Sequence, residues 1–353
     1  LSYELTIEPL GITVDIEEGQ TILDAALRAG VYLPHACCHG VCATCKVNVE
    51  DGEVEHNEAS SFALMEFERD EGKCLACCAT VEDDITISAE IEEDVDARTI
   101  PIRDFDVTVS RIEDLTPTIK GVWLKLEDGE AFDFQAGQYV NLQFPDEIGH
   151  RAFSVASVPS SGNEIELNIR LVPGGAATEY VHKALKVGDR MTFTGPYGRF
   201  FVKKSADVPV IFFAGGSGLS SPRSMIFDLL EEGFDKEIVL VYGQRTRDEL
   251  YYHDEFCALA EKLPNFTYVP ALSNEPDGTD WSGARGFVHE AGKAHFDNDF
   301  RGYKAYLCGP PVMIEACIST LMQGRLFERD IYTEKFISAA DAQQVRSPLF
   351  KSI

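Results

Sequence analysis

The spacing of hydrophobic residues changes twice along the chain and divides it into three regimes. Residues 3–7 and 12–16 alternate apolar with polar side chains, the period-2 signature of strands with one buried face. Residues 21–29 switch to helical spacing, and a cysteine-rich loop follows. An acidic run at 90–96 closes this segment and reads as a linker. From 99 to 204, short strands are predicted at 105–110, 122–126, 139–144, 152–156, 165–171 and 191–194, separated by Gly, Pro and Asp. Short strands with so little helix between them predict an antiparallel barrel. Beyond 205, apolar runs at 208–214, 238–242, 266–271 and 304–307 alternate with helical segments at 222–231 and 311–323, the pattern of a parallel α/β sheet. The expected domains are 1–98, 99–204 and 205–353.

Composition narrows the class of protein. With 353 residues and 44% hydrophobic side chains, the chain can bury several cores, which argues against disorder. No apolar run approaches the roughly 18–20 residues of a membrane helix. The first ten residues lack the basic-then-apolar layout of a signal peptide, so a cytoplasmic location and no membrane partner are expected. A net charge of −28 disfavours nucleic acid and anionic lipid, which repel acidic surfaces. The charge is uneven: residues 1–98 hold 23 acids against 5 bases, a net of −18, and leave −10 for the rest. The first domain therefore carries either a solubilising face or a docking face.

Seven of the ten cysteines fall between Cys37 and Cys78, which suits a metal site in a reducing compartment better than disulfides. Cys37, Cys42, Cys45 and Cys77 give C-x4-C-x2-C plus a distant fourth cysteine, the plant-type [2Fe-2S] spacing. Three thiolates on one tight loop can wrap a compact cluster, and the fourth closes it. A zinc site uses similar ligands, usually as two CxxC pairs, and stands as the alternative. Cys38, Cys74 and Cys78 read as unligated thiols, and His35 and His39 as loop residues. The loop resembles that of plant-type ferredoxins, which implies a β-grasp fold for the first domain.

In the second regime Arg151-Ala152-Phe153-Ser154 opens a strand, and Arg170, Val172 and Gly174-Gly175-Ala176-Ala177-Thr178 lie at a turn that feeds a helix. A glycine turn at a helix N-terminus can bind pyrophosphate through free amides, and an arginine nearby adds a charge-assisted contact. These elements, with Gly195-Pro196-Tyr197-Gly198, resemble the signatures of the ferredoxin-NADP reductase superfamily. The resemblance implies FAD on a six-stranded barrel, with Arg151 on the pyrophosphate, Ser154 near the flavin N5 and residues 175–178 on the phosphates. Phe153 stands where that family usually has tyrosine.

The third regime opens with a buried strand running into Gly215-Gly216-Ser217-Gly218, then a polar N-cap and a proline in the first helical turn. This turn and Cys308-Gly309-Pro310-Pro311-Val312-Met313 resemble the superfamily's nicotinamide-binding elements. Cys308 is expected at the carboxyl end of a strand, where α/β folds place ligands. Arg245, in Tyr242-Gly243-Gln244-Arg245, is expected near the adenosine ribose. Glu334 and Phe336, in Tyr332-Thr333-Glu334-Lys335-Phe336, are similar to the family's acid and aromatic close to the flavin.

Taken in order, the three segments resemble the reductase components of bacterial multicomponent oxygenases. The resemblance implies Ser154, Cys308 and Glu334 as catalytic residues. It also implies electron flow from NADH through FAD and a [2Fe-2S] cluster to an oxygenase component, a diiron hydroxylase acting on an aromatic substrate such as phenol. A reductase for a Rieske-type dioxygenase is the alternative within the class, and a zinc-bearing scaffold is the alternative outside it.

Overall fold

The computed structural model describes residues 1–336 except 37, 39 and 146. These divide into two compact units, Leu1–Phe105 with Thr194–Gly198, and Asp106–Phe193 with the chain from Arg199 onward.

In the first unit, strands β1 (Ser2–Glu8), β2 (Ile12–Glu17), β3 (Lys46–Asp51), β4 (Lys73–Leu75) and β5 (Ile85–Ser88) form one sheet in the order β2-β1-β5-β3-β4. Helix α1 (Ile22–Arg28) begins where Thr21 caps it, its hydroxyl accepting from the Asp24 amide. Every apolar residue of α1 is buried. A short helix, α2 (Glu66–Asp70), precedes β4. Strands β3 to β5 and α2 are not among the predicted elements. Only one β3 side chain, Val47, is buried, so hydrophobic alternation there is too short to read.

A second sheet joins β6 (Arg103–Asp114), β7 (Ile119–Leu126), β8 (Tyr139–Gln143), β9 (His150–Ser154), β10 (Glu164–Arg170) and β11 (Arg190–Tyr197) in the order β10-β7-β6-β11-β8-β9. An antiparallel bridge between Val155 and Leu167 links the end of β9 to β10, and the sheet closes into the expected barrel. Helix α3 (Ala176–Lys183) follows β10.

The third sheet is parallel throughout, with β12 (Val210–Gly215), β13 (Ile238–Gln244), β14 (Phe266–Leu272), β15 (Ala284–Arg285), β16 (Lys304–Gly309) and β17 (Ile331–Lys335) in the order β15-β14-β13-β12-β16-β17. Phe212, Leu240 and Tyr306 pack on one face under helices α4 (Ser220–Glu231) and α5 (His253–Lys262). Phe213, Val241 and Leu307 pack on the other under α6 (Val288–His295) and α7 (Pro311–Gln323). Burial on both faces is why these strands read as continuous apolar runs rather than as alternation. Among the described residues no helix is long and apolar enough to cross a membrane.

Candidate functional site

In the first unit the β3–β4 hairpin brings together cysteines far apart in sequence. Lys46 pairs with Leu75, so Cys45, just before β3, comes alongside Cys77, just after β4. The Cys45 amide plane is pinned there, its carbonyl accepting from the Ala76 amide at 2.9 Å. The neighbouring Cys77, with burial, pushes the Cys45 thiol well up, and Cys42 acts in the same direction. Cys74 pairs opposite Val47 and is fully buried. The Cys78 sulfur lies 3.6 Å from that of Cys77. The loop itself is bent by three left-handed residues, Cys38, Gly40 and Ala43. Gly40 has no substitute there, because a Cβ would lie 2.6 Å from the Cys78 sulfur. Cys37 and His39 lie outside the described residues. Among the described ones, no three His, Cys, Asp or Glu side chains are grouped so as to hold a single metal ion.

In the second unit, the carboxyl edge of the parallel sheet meets the barrel at a buried polar cluster. Strand pairing sets Cys308 between Ala214 of β12 and Glu334 of β17. One Glu334 oxygen accepts from the hydroxyl of Ser221 at 2.6 Å, that of Ser154 at 3.1 Å and the Cys308 thiol at 3.5 Å. Ser154 comes from β9 of the barrel and Ser221 from the first turn of α4, so four elements supply one constellation. Burial lifts the Glu334 carboxyl above its usual range, against the lowering effect of the three donors. Burial, with Glu334 beside it, holds the Cys308 thiol far above its ordinary value, so the sulfur stays protonated. Ser154, Cys308 and Glu334 are thus brought together. Ser221 is the member that sequence reasoning missed; its only signal is its place one turn after the glycines.

The glycine turn Gly215–Gly218 packs directly on the Cys308–Gly309 backbone. A Cβ on Gly218 would lie 2.4 Å from the Cys308 carbonyl oxygen and 2.8 Å from the Gly309 Cα. The sequence predicts a polar N-cap before α4; instead the turn Gly216–Leu219 winds as 3₁₀ helix straight into it, and the residue before α4 is Leu219. The Ser220 amide donates back to the Ser217 carbonyl, so the 3₁₀ turn itself occupies an amide that a side-chain cap would otherwise serve. Gly309 accepts from the Phe336 amide at 3.0 Å and thereby fixes the chain after Glu334.

The remaining predicted barrel residues lie on β9, at the end of β10 and at the start of α3. Arg170, at the end of β10, reaches within 3.1 Å of the place a Cβ on Gly216 would occupy. Arg151 and Ala152 are exposed on β9, the Arg151 guanidinium donating to the Ile148 carbonyl at 3.0 Å. Phe153 is half-buried, edge-on to Phe144. Gly174 is left-handed and Gly175 precedes α3 without a side-chain cap. The Thr178 hydroxyl accepts from the Val172 amide at 3.0 Å, and Glu179 accepts from the Gly174 amide. Ala176 and Ala177 form the first turn of α3. Arg245 is exposed just past β13.

Three family models match in succession: a 2Fe-2S iron-sulfur cluster binding domain over residues 5–82, an oxidoreductase FAD-binding domain over 106–202, and an oxidoreductase NAD-binding domain over 212–318. The chain is 57% identical to the phenol 2-monooxygenase reductase component of Pseudomonas sp. (strain CF600), over the full length of both. The chain belongs to the phenol monooxygenase reductase family. A phenol hydroxylase protein of Acinetobacter pittii (strain PHEA-2) is 56% identical, again over both full lengths. The crystal structure of a reductase from Amycolatopsis superposes with a TM-score of 0.85 at 35% identity, covering 95% of this chain and 98% of that one. The protein is an iron-sulfur flavoprotein oxidoreductase with FAD-, NAD- and [2Fe-2S]-binding domains, which sets aside the zinc-bearing scaffold.

Proposed function

We propose that this protein oxidises NADH and delivers the electrons, through FAD and then a [2Fe-2S] cluster, to the oxygenase component of a cytoplasmic phenol monooxygenase, a diiron hydroxylase. When bound, the flavin supplies the conversion of a two-electron donor into single electrons, which nicotinamide alone cannot provide, and the cluster carries them one at a time. The observation that carries this reading is the buried Ser154–Ser221–Cys308–Glu334 constellation at the carboxyl edge of the parallel sheet. That edge is where open α/β folds bind nucleotides.

The residues present fit the cofactors. Cys45 and Cys77 stand side by side, and with Cys37 and Cys42 would hold the cluster. The left-handed residues Cys38, Gly40 and Ala43 bend the loop that carries these cysteines. Arg151, Ala152, Phe153 and Ser154, with Arg170, Val172 and Gly174–Thr178, would hold FAD. The uncapped N-terminus of α3 leaves amides for its phosphates. Gly215–Gly218, Arg245, Cys308, Gly309, Pro310 and Phe336 would seat the nicotinamide nucleotide beside it. NADH is favoured over NADPH because Arg247 is already paired with Asp280 at 2.9 Å, with Glu275 on its backbone amide. An extra phosphate there would meet those two acids. We place the domain boundaries at 98/99 and 204/205.

The experiment is to follow NADH-dependent reduction of ferricyanide, which needs only the flavin, beside that of a purified phenol oxygenase component. Turnover with both acceptors, with kcat/KM for NADH above that for NADPH, is expected. Turnover with ferricyanide alone would remove the phenol oxygenase from the reading.

A further inference from the structure

Helix α4 carries Ser221 into the constellation, and a second buried polar cluster seats that helix on the barrel. Glu166 of β10 is 4% exposed, yet both of its oxygens are engaged. One accepts from the Asn168 amide nitrogen at 2.6 Å and from the Tyr252 hydroxyl; the other accepts from the Arg223 guanidinium at 3.2 Å. Arg223 lies on α4 two residues beyond Ser221. Its guanidinium also donates to the Ala156 carbonyl of the barrel at 3.0 Å and forks onto both oxygens of Glu255 in α5. It rests over the Tyr252 ring, 4.2 Å from the centroid. Two further α4 hydroxyls reach the barrel: Ser220 donates to the Asn168 side-chain oxygen and Ser224 to the Ser157 carbonyl at 2.6 Å.

Two features distinguish this cluster from ordinary packing. A buried ion pair is a weak source of stability, because desolvation cancels most of the attraction; what it fixes well is geometry. Tyr252 is held in the left-handed region at φ 56°, a strained conformation for a bulky side chain, while its hydroxyl reaches Glu166. Burial and the Glu166 charge push the Tyr252 phenol up, so it remains a donor.

We propose that Glu166 and Arg223, with Tyr252 as brace, are positioning residues for NADH oxidation: they set the seat of α4 on the barrel, and so place the glycine turn and Ser221 against Ser154. This rests on the proposed function. In the step they position, NADH gives up one hydride to the enzyme's flavin and leaves as NAD⁺, the flavin gaining both electrons. Neither residue touches the Ser154–Glu334 constellation. They act through a rigid helix, and misplacement by about 1 Å can cost about 100-fold in rate.

The test uses the full-length holoenzyme. E166Q keeps the size of the side chain and one acceptor oxygen but removes the charge and the second acceptor, and Arg223 retains Glu255 as counter-ion. A second variant, E166L/R223M, removes both charges together and guards against failure through one unpaired charge. Anaerobic reduction of the flavin by NADH is expected to slow at least about 10-fold in both, with NAD⁺ affinity changed less than about 3-fold. The long-wavelength absorbance of nicotinamide stacked on flavin should weaken, and amides 216–221 should exchange faster with solvent before NADH is added. R223K, which keeps the charge facing Glu166, should recover most of the rate. Wild-type flavin reduced by NADH and E166Q reduced within 2-fold of it would overturn the positioning role. So would a rate loss that merely tracks lost FAD. Wild-type flavin that NADH does not reduce would overturn the proposed function instead.

Discussion

The cysteine loop of the first unit and the Glu334 constellation of the second are assembled in opposite ways. Three of the four expected cluster ligands lie within nine residues, and one hairpin, paired Lys46 to Leu75, brings up the fourth. The constellation draws Ser154, Ser221, Cys308 and Glu334 from the barrel, a helix and two strands, spread over 180 residues. A site made of metal ligands is written locally, since thiolates must surround one compact object. A buried carboxylate with three donors is written only in the topology. The two should therefore respond differently to substitution.

The largest effect belongs to the local site. Cys45→Ser should abolish reduction of cytochrome c while leaving NADH-to-ferricyanide turnover within about 2-fold, because only the flavin serves the latter. Cys74→Ser and Cys78→Ser should keep the cluster spectrum. A full cluster in Cys77→Ser, with loss in either of those, would move the fourth ligand.

In the second unit the sharpest substitution is Gly218→Ala. The obstacle is backbone, the Cys308 carbonyl at 2.4 Å, which cannot swing aside as a side chain would. Both cytochrome c and ferricyanide turnover should fall together, by about 10- to 100-fold, on the scale expected for an ångström of misplacement. A loss confined to cytochrome c would break the contrast between the two sites.

Charge separates the units more gently. Residues 1–98 carry −18, and complementary charge speeds protein encounter by roughly 10- to 1000-fold at low salt. With a Debye length of about 10 Å at 0.1 M salt and about 3 Å at 1 M, reduction of the oxygenase should slow as salt rises. Ferricyanide turnover, measured alongside as control, should change less. Equal salt sensitivity would make the acidic face a solubilising surface alone.

The smallest effect is thermodynamic. Burial lifts the Glu334 carboxyl above its ordinary value of 4.5, so the folded protein holds this proton after the unfolded chain has released it. Its contribution to stability is complete below about pH 4.5 and declines as pH rises toward the folded-state value. E334Q should flatten that decline. Melting temperatures of the two holoenzymes across pH 4 to 8 provide the measurement, and parallel curves would place the Glu334 carboxyl in its ordinary range.

How much of this could be read from the chain follows from the same contrast. The Cys42–Cys45 loop, the glycine turn and the apolar strand runs announce themselves because spacing alone encodes them. Ser154, Cys308 and Glu334 were legible only through a family resemblance, since each is one residue at a strand end. Ser221 and the Glu166–Arg223 pair were not legible. A serine in a helix turn and an acid in a barrel strand look like solvent-facing residues until the barrel packs on α4. The polar N-cap failed for a local reason: a 3₁₀ turn continues directly into the helix.

In the proposed function the two regions work in series, flavin first and cluster second. The direct measurement is anaerobic rapid mixing of the holoenzyme with one equivalent of NADH, following flavin and cluster absorbance separately. Loss of flavin absorbance is expected first, then of cluster absorbance, with only the first change in Cys45→Ser. Cluster absorbance falling without any prior change in the flavin, or at an unaltered rate in Gly218→Ala, would contradict it.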